Sequence, residues 1–370
     1  MRILLTGGGT GGHIFPLVAV ARKLKKISAE KGLPAPEIFY LGPDDFGHDI
    51  FEKEGIPFSP IIAGKIRRYF SVQNILDAFK FPVSLVQTFW KMFWIMPDIV
   101  FSKGGYASAP IVLVAWVYRV PIMIHESDSV PGVANKKAAR MAKLVGIAFS
   151  RAAKFLPDKK VAMVGNPVRE ELFSGSIAEA KKIFNLSGEK VLLVLGGSQG
   201  AEAINEIIID VLPQLVQKYQ VLHQCGVNNF RQVEEEAKIM LRPELLPKYH
   251  PFPFLDENQM SAAYAAADLL ISRAGAGSIF EIAGLGKPSI LVPLPESAQD
   301  HQRENAYEFA RAGACIVLEQ QNLKPHLFLS QIDNILENPE VYQKLSNGAK
   351  AFFIPDAAQK IAEALLGLAK

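Results

Sequence analysis

Residues 191–200, VLLVLGGSQG, repeat the pattern of residues 3–12, ILLTGGGTGG. In each, an apolar run of strand length meets a glycine turn, and a helix-like segment follows. The rhythm continues at residues 37–41, 99–102 and 121–125 after the first copy, and at 219–224, 269–272 and 289–292 after the second. Apolar strands alternating with longer amphipathic segments read as a parallel α/β sheet, and the repetition reads as two of them. The expected fold class is therefore α/β, with two doubly wound domains in tandem. The join is expected within LPDKKVAMVGNPVR, residues 156–169, where prolines, charges and a Gly-Asn-Pro turn separate the two rhythms. This gives domains over 1–163 and 164–350, with an amphipathic helical segment over 351–370 that periodicity alone assigns to neither.

Composition narrows the function. A chain of 370 residues that is 49% hydrophobic can bury two sizeable cores. The net charge of +3 gives no support to nucleic-acid binding. Two distant cysteines, Cys225 and Cys315, suit neither a disulfide framework nor a zinc site, and fit a reducing compartment. The apolar run before the first glycine turn is too short for a signal peptide. Lys91, Pro97 and Asp98 interrupt one long apolar stretch and Pro110, Arg119 and Pro121 the other, so neither spans a bilayer.

Gly7, Gly9 and Gly12 satisfy the G-x-G-x-x-G spacing of a dinucleotide turn. A nicotinamide site also wants an acid at the end of the second strand, for the ribose hydroxyls. Here that strand ends Tyr40-Leu41-Gly42-Pro43, Asp44 and Asp45 come late, and His13, Phe15 and Pro16 replace the small residues that would pack the helix. A nicotinamide-dependent oxidoreductase thus rests on the first loop alone. Glycine turns at the carboxyl ends of parallel strands still suit phosphates, and His13 can take a proton from a hydroxyl at neutral pH. In SRAGAGSIFEIAGLGKP, residues 272–288, small residues precede a helix expected to carry Glu281 in its first turn. There a carboxylate can accept from ribose hydroxyls while the helix N-terminus attracts a diphosphate.

Seven segments occur in an order that resembles the MurG family of GT-B glycosyltransferases, family 28. They are GGGTGGHIFP (7–16), SKGGYAS (102–108), HESDSVPGVAN (125–135), GNPVR (165–169), GGSQGA (196–201), SRAGAGSIFE (272–281) and DHQRENA (300–306). The resemblance covers essentially the whole chain. It implies two Rossmann-like domains facing across a cleft, with the C-terminal helix crossing back to the first. It also implies an inverting transfer of N-acetylglucosamine from UDP-N-acetylglucosamine (UDP-GlcNAc) to the 4-hydroxyl of N-acetylmuramic acid (MurNAc) in lipid I, forming lipid II and UDP in peptidoglycan synthesis.

Carried over by motif, Thr10, Gly11 and Gly12 line the donor site, Arg169 and Ser198 lie near the diphosphate, and Ala276, Gly277 and Ser278 form the surrounding turn. Glu281 holds the ribose, Gln302 lies near the sugar, and Leu255 borders the uracil through its backbone with Met260 nearby. Gly104, Gly105 and Tyr106 contact the acceptor. His13 is the expected base, with Glu126 second and Asp128 third. The family's His-Glu-Gln-Asn is here His125-Glu126-Ser127-Asp128, so a donor-contacting amide becomes a carboxylate that accepts hydrogen bonds but cannot donate when ionised. No Asp-x-Asp pair is present, and neither metal nor cofactor is expected. Arg169, Ser198 and the turn at 276–278 are the candidates for offsetting charge on the departing UDP.

Residues 65–94 mix Lys65, Arg67, Arg68, Lys80 and Lys91 with Ile75, Leu76, Phe79, Phe81, Phe89, Trp90, Phe93 and Trp94. Basic residues beside bulky aromatics suit an anionic membrane surface. The resemblance places the protein peripherally on the cytoplasmic face of the bacterial inner membrane, among other cell-wall synthesis proteins. Two rivals stand beside it: a GT-B transferase for another lipid acceptor such as diacylglycerol, and a sugar-nucleotide-binding protein without catalysis.

Overall fold

The computed structural model describes residues 1–43, 47–64, 72–197 and 200–369, and of residues 72–79 the backbone only. The chain divides into two units, Met1–Arg169 with Ile354–Lys370, and Glu170–Phe353.

The first unit is built on strands β1 (Arg2–Thr6), β2 (Glu37–Gly42), β3 (Phe58–Pro60), β4 (Ile99–Ser102), β5 (Ile122–Glu126), β6 (Leu144–Ile147) and β7 (Val161–Met163). They form one parallel sheet in the order β3-β2-β1-β4-β5-β6-β7. Their near-continuous apolar runs follow from burial on both faces. Ile3 and Leu5 join a core with Leu17, Val18 and Leu24 of helix Gly11–Glu30. Leu4, pointing the other way, joins Met92, Ile111 and Val112 of helices Val72–Ile95 and Ser108–Val117. Helix Ala357–Leu368 buries Ala358, Ile361, Ala362 and Leu365 in the first of these cores, which explains why the tail belongs to this unit.

The second unit carries β8 (Val191–Leu195), β9 (Gln220–Gln224), β10 (Tyr249–Phe252), β11 (Leu269–Ser272), β12 (Ser289–Leu291) and β13 (Ile316–Val317), parallel in the order β10-β9-β8-β11-β12-β13. Its core packs Leu192, Val194 and Ile271 against Ile204, Ile208 and Leu212 of helix Glu202–Lys218 and Phe328 and Ile332 of helix Pro325–Glu337.

Strand order reverses at β1/β4 in one sheet and at β8/β11 in the other. In open α/β sheets, ligands bind beyond the carboxyl ends of the strands at such a reversal. The two glycine-rich segments read from sequence follow β1 and β8, each at a reversal. The units part at 169/170, after residues 165–169 rather than at 163/164. The Gly165 carbonyl accepts from His125 Nε2, and Asn166 Oδ1 accepts from Lys103, which ties this segment to the first sheet.

Candidate active site

At the first reversal, the turn after β1 and the turn after β4 touch through glycine. Gly104 and Gly105 have φ of +86° and +89°, and a Cβ on Gly105 would lie 2.9 Å from the Gly8 Cα. Only glycine combines that conformation with that approach. His13, in the first turn of its helix, lies against the pair: a Cβ on Gly8 would be 3.0 Å from His13 Nδ1, and one on Gly105 would be 3.7 Å from Cε1. Thr10 Oγ1 is 3.0 Å from His13 Nδ1. When Nδ1–H donates to that hydroxyl, Nε2 presents its lone pair, the form a general base requires. Thr10 and Gly12 are exposed, Gly11 and Tyr106 half-buried.

Glu126 ends β5 and is only 3% exposed. Its Oε1 accepts from the Asp128 N–H (3.0 Å), and its Oε2 from the Gly132 N–H (3.2 Å) and Asn135 Nδ2 (2.9 Å). Burial, then the negative charge of Asp128, pushes its carboxyl above the usual range. The carboxylate thus organises residues 127–135, and Asn135 in turn backs the Gly104 turn, where a Cβ would meet its Oδ1 at 2.5 Å. Asp128 is half-buried beside it. Behind these groups, buried His125 and Lys103 are hydrogen-bonded, Nζ to Nδ1 at 2.7 Å. Burial, then the Lys103 charge, holds His125 well below its ordinary pKa. Arg169 lays its guanidinium over the Phe15 ring, 4.0 Å from the centroid, next to the helix that carries His13. Sequence reasoning does not single out Lys103, Asn135 or Asn166, and it marks Phe15 only as a bulky residue after the glycine turn, not as the partner of Arg169. Lys103 and Asn166 stand inside quoted motifs, yet nothing in their spacing says that they meet.

In the second unit, helix Ala276–Leu285 starts beyond β11 with Gly275 at its N-cap, which has no side chain to occupy the first-turn N–H groups of Ala276, Gly277 and Ser278. Glu281 is the sixth residue of this helix and so lies in its second turn. The expectation of a first-turn acid is corrected: the helix begins at Ala276 because Gly275 is extended, at φ −67° and ψ 143°. Its carboxylate accepts from the Tyr264 hydroxyl. Asn305 Nδ2 donates to the Ala274 carbonyl (3.4 Å), tying helix His301–Arg311 to the same turn. Gln302 Oε1 accepts from the Leu294 N–H (3.0 Å). Leu255 is buried and its N–H donates to Gln224 Oε1 (3.2 Å). Next to it, Asp256 and Gln259 form a capping box for helix Glu257–Ala266, which also contains Met260. Ser198 lies outside the described residues, as do Lys65, Arg67, Arg68, Asp44 and Asp45, and the side chains of Ile75, Leu76 and Phe79.

Helix Val72–Ile95 inverts the usual distribution. Ser84, Thr88 and Met92 are buried, while Phe81, Phe89, Trp90 (57% exposed), Phe93 and Trp94 (76% exposed) face outward. Trp116 and Val117 of the neighbouring helix are exposed as well. Lys80 is exposed, and Lys91 donates to the Pro60 carbonyl. Among the described residues no helix is long and apolar enough to cross a membrane. Also among them, His48, Asp49 and Glu52 are the one group of exposed side chains close enough to share a metal ion.

The family model for the glycosyltransferase family 28 N-terminal domain matches residues 3–147, and that for the family 28 C-terminal domain matches residues 191–361. The chain belongs to glycosyltransferase family 28. A relative from Bacillus cereus, named UDP-N-acetylglucosamine--N-acetylmuramyl-(pentapeptide) pyrophosphoryl-undecaprenol N-acetylglucosamine transferase 2, is 36% identical over 369 residues, 98% of this chain and 99% of its own. One from Clostridium botulinum with the same transferase name, without the number, is 36% identical over 94% of this chain and 96% of its own. The crystal structure of Acinetobacter baumannii MurG matches with a TM-score of 0.73 at 28% identity, covering 99% of both chains. A UDP-GlcNAc 2-epimerase from Neisseria meningitidis matches at a TM-score of 0.67 with 16% identity, a likeness of fold alone. As a family 28 member the protein is a glycosyltransferase, and its two parallel α/β units are those of the GT-B fold.

Proposed function

We propose that this chain catalyses the reaction for which its relatives are named, transfer of N-acetylglucosamine from UDP-GlcNAc to lipid I, the MurNAc-pentapeptide pyrophosphoryl-undecaprenol acceptor, giving lipid II and UDP in peptidoglycan-precursor synthesis. The observation that carries the mechanism is the His13 ring lodged at the Gly8–Gly105 contact with Nδ1 on the Thr10 hydroxyl. His13 Nε2 takes the proton of the MurNAc 4-hydroxyl as that oxygen attacks the anomeric carbon of the donor sugar. The bond from that carbon to the diphosphate breaks, its electron pair leaves with UDP, and the configuration inverts to a β-1,4 link. Glu126, with three N–H donors on its carboxylate, holds residues 127–135 in place, and Asp128 offers an acceptor to the donor sugar.

Arg169, Ser198 and the first-turn N–H groups of residues 276–278 offset the charge that builds on UDP. Glu281 accepts from the ribose hydroxyls and Gln302 meets the sugar. Thr10, Gly11 and Gly12 line the donor side. Leu255 borders the uracil through its carbonyl, since its N–H is engaged by Gln224. Gly104, Gly105 and Tyr106 receive the acceptor.

The outward aromatics of residues 81–94, with Trp116 and Val117, rest on anionic lipid at the cytoplasmic face of the inner membrane, where the undecaprenol tail is anchored, near other cell-wall synthesis proteins. A helix that buries Ser84 and Thr88 while exposing two tryptophans supports an apolar environment on its outer side.

The test is nucleotide selectivity joined to acceptor dependence. UDP should raise the melting temperature and NAD should not, and UDP release from UDP-GlcNAc should require a lipid I analogue. Equal release without acceptor, or release driven by diacylglycerol instead, contradicts the assignment.

A further inference from the structure

Lys103 has no part in the reaction as set out above, yet its side chain is 1% exposed and lies beneath the first glycine turn. A Cβ on Gly7 would be 3.4 Å from the Lys103 Cβ and 3.3 Å from the His13 Cβ. The ammonium ends between His125 Nδ1, at 2.7 Å, and Asn166 Oδ1, at 3.0 Å. His125 gives its Nε2 proton to the Gly165 carbonyl at 2.8 Å, so Nδ1 is an acceptor and Lys103 must be the donor. Both contacts of His125 and Lys103 therefore run to residues 165 and 166, three to four positions before Arg169.

A buried ammonium held by two neutral acceptors is costly, and an apolar side chain of equal length would fill the same space without that cost. What the charge adds is a tie between three segments: the turn after β4, the end of β5, and the stretch that leads through Pro167 to Arg169. Burial lowers the Lys103 pKa to about 7, and the nearby charges of Glu126 and then Asp128 oppose that lowering.

We propose that Lys103 is a positioning residue for the transfer reaction: its bridge to His125 and Asn166 fixes residues 165–169 and thereby sets the Arg169 guanidinium over Phe15, ready for the donor diphosphate. The role rests on the reading of Arg169 as a diphosphate ligand. Lys103 touches neither substrate.

The experiment is a double-mutant cycle on UDP affinity, read by calorimetry in wild type, Lys103→Met, Arg169→Ala and the double variant. Lys103→Met keeps an unbranched side chain, one atom shorter, and removes its donors. Lys103→Met should weaken UDP about tenfold while Arg169 is present and less than about twofold in the Arg169→Ala background, a coupling of the size seen between residues acting through one network. Equal losses in both backgrounds, or no loss in either, would overturn the proposal, because a merely structural lysine acts independently of Arg169. Should Lys103→Met not fold, Asn166→Ala cuts the other end of the bridge and is expected to give the same pattern. The titration needs no acceptor. A wild type that binds UDP but forms no disaccharide would thus refute the assigned reaction while the cycle still decides the role of Lys103.

Discussion

Gly8 and Gly105 meet backbone to backbone: a Cβ added to Gly105 would stand 2.9 Å from the Cα and N of Gly8. Through this contact the two turns at the first strand reversal become one surface, with His13 at its edge. Gly105→Ala must push the turns apart and also place a side chain at φ +89°, at an energetic cost of about 1–3 kcal/mol. The expected outcome is a folded protein, less stable in urea by that amount, whose kcat/KM for the acceptor falls at least about tenfold while UDP affinity is kept. Wild-type acceptor kinetics would show that the contact is not needed for transfer.

His13→Ala should lower kcat by about 10² to 10⁴ with UDP affinity nearly unchanged, measured by steady-state kinetics and calorimetry. Thr10→Val, which removes the hydroxyl 3.0 Å from Nδ1, should lower kcat in the same sense but by less. Turnover near wild type in His13→Ala would take the base away from His13.

The aromatic face predicts lipid binding. In cosedimentation with vesicles containing anionic lipid, wild type should pellet. Folded variants with Phe89, Trp90, Phe93 and Trp94 replaced by Ser should remain largely in the supernatant. Undiminished pelleting would remove this face from the membrane.

Acid stability gives a test inside the second unit. His223 is buried, with Nδ1 on the Tyr249 hydroxyl (2.8 Å) and Nε2 on Asn205 Oδ1 (3.0 Å), and burial lowers its pKa to about 3. The folded state keeps the ring neutral where the unfolded chain protonates it. Its contribution is therefore complete above pH 6.5 and is lost as the pH falls from 6.5 towards about 3. The loss per group amounts to about 1.4 kcal/mol per pH unit. His125, also buried with a lowered pKa, acts with the same sign in the first unit. Urea unfolding between pH 7 and 5 should show the decline, and His223→Gln should flatten it for the second unit. An unaltered slope in that variant would contradict the assignment.

Much of this architecture is legible in the chain itself, and particular residues show where legibility ends. β1, β4, β8 and β11 are central, buried on both faces and closed by small or polar residues, so residues 3–6, 99–102, 191–195 and 269–272 announce themselves as apolar runs. β3, β7, β10 and β13 give no such signal. They sit at or near the sheet edges with two to four residues each, and Pro60 and Pro251 lie within two of them. β6 gives none either, since Gly146 interrupts its short run. At the site, the motif residues mark loops that the topology brings to the strand reversals. The partners that hold them are set by tertiary contact across 22 to 63 positions, as between Lys103 and His125 or Asn166. Glu126 reads in sequence as a second candidate base, and only the three N–H groups on its carboxylate reveal an organiser of the following loop.

The most direct measurement is the linkage formed when the purified protein is given anomerically labelled UDP-GlcNAc and a lipid I analogue. The expected product is a disaccharide joined through the MurNAc 4-oxygen, with the β configuration read by NMR from the coupling at the labelled carbon, and one UDP released per disaccharide. An α-linked product, a product on another hydroxyl, or UDP release without a disaccharide would contradict it.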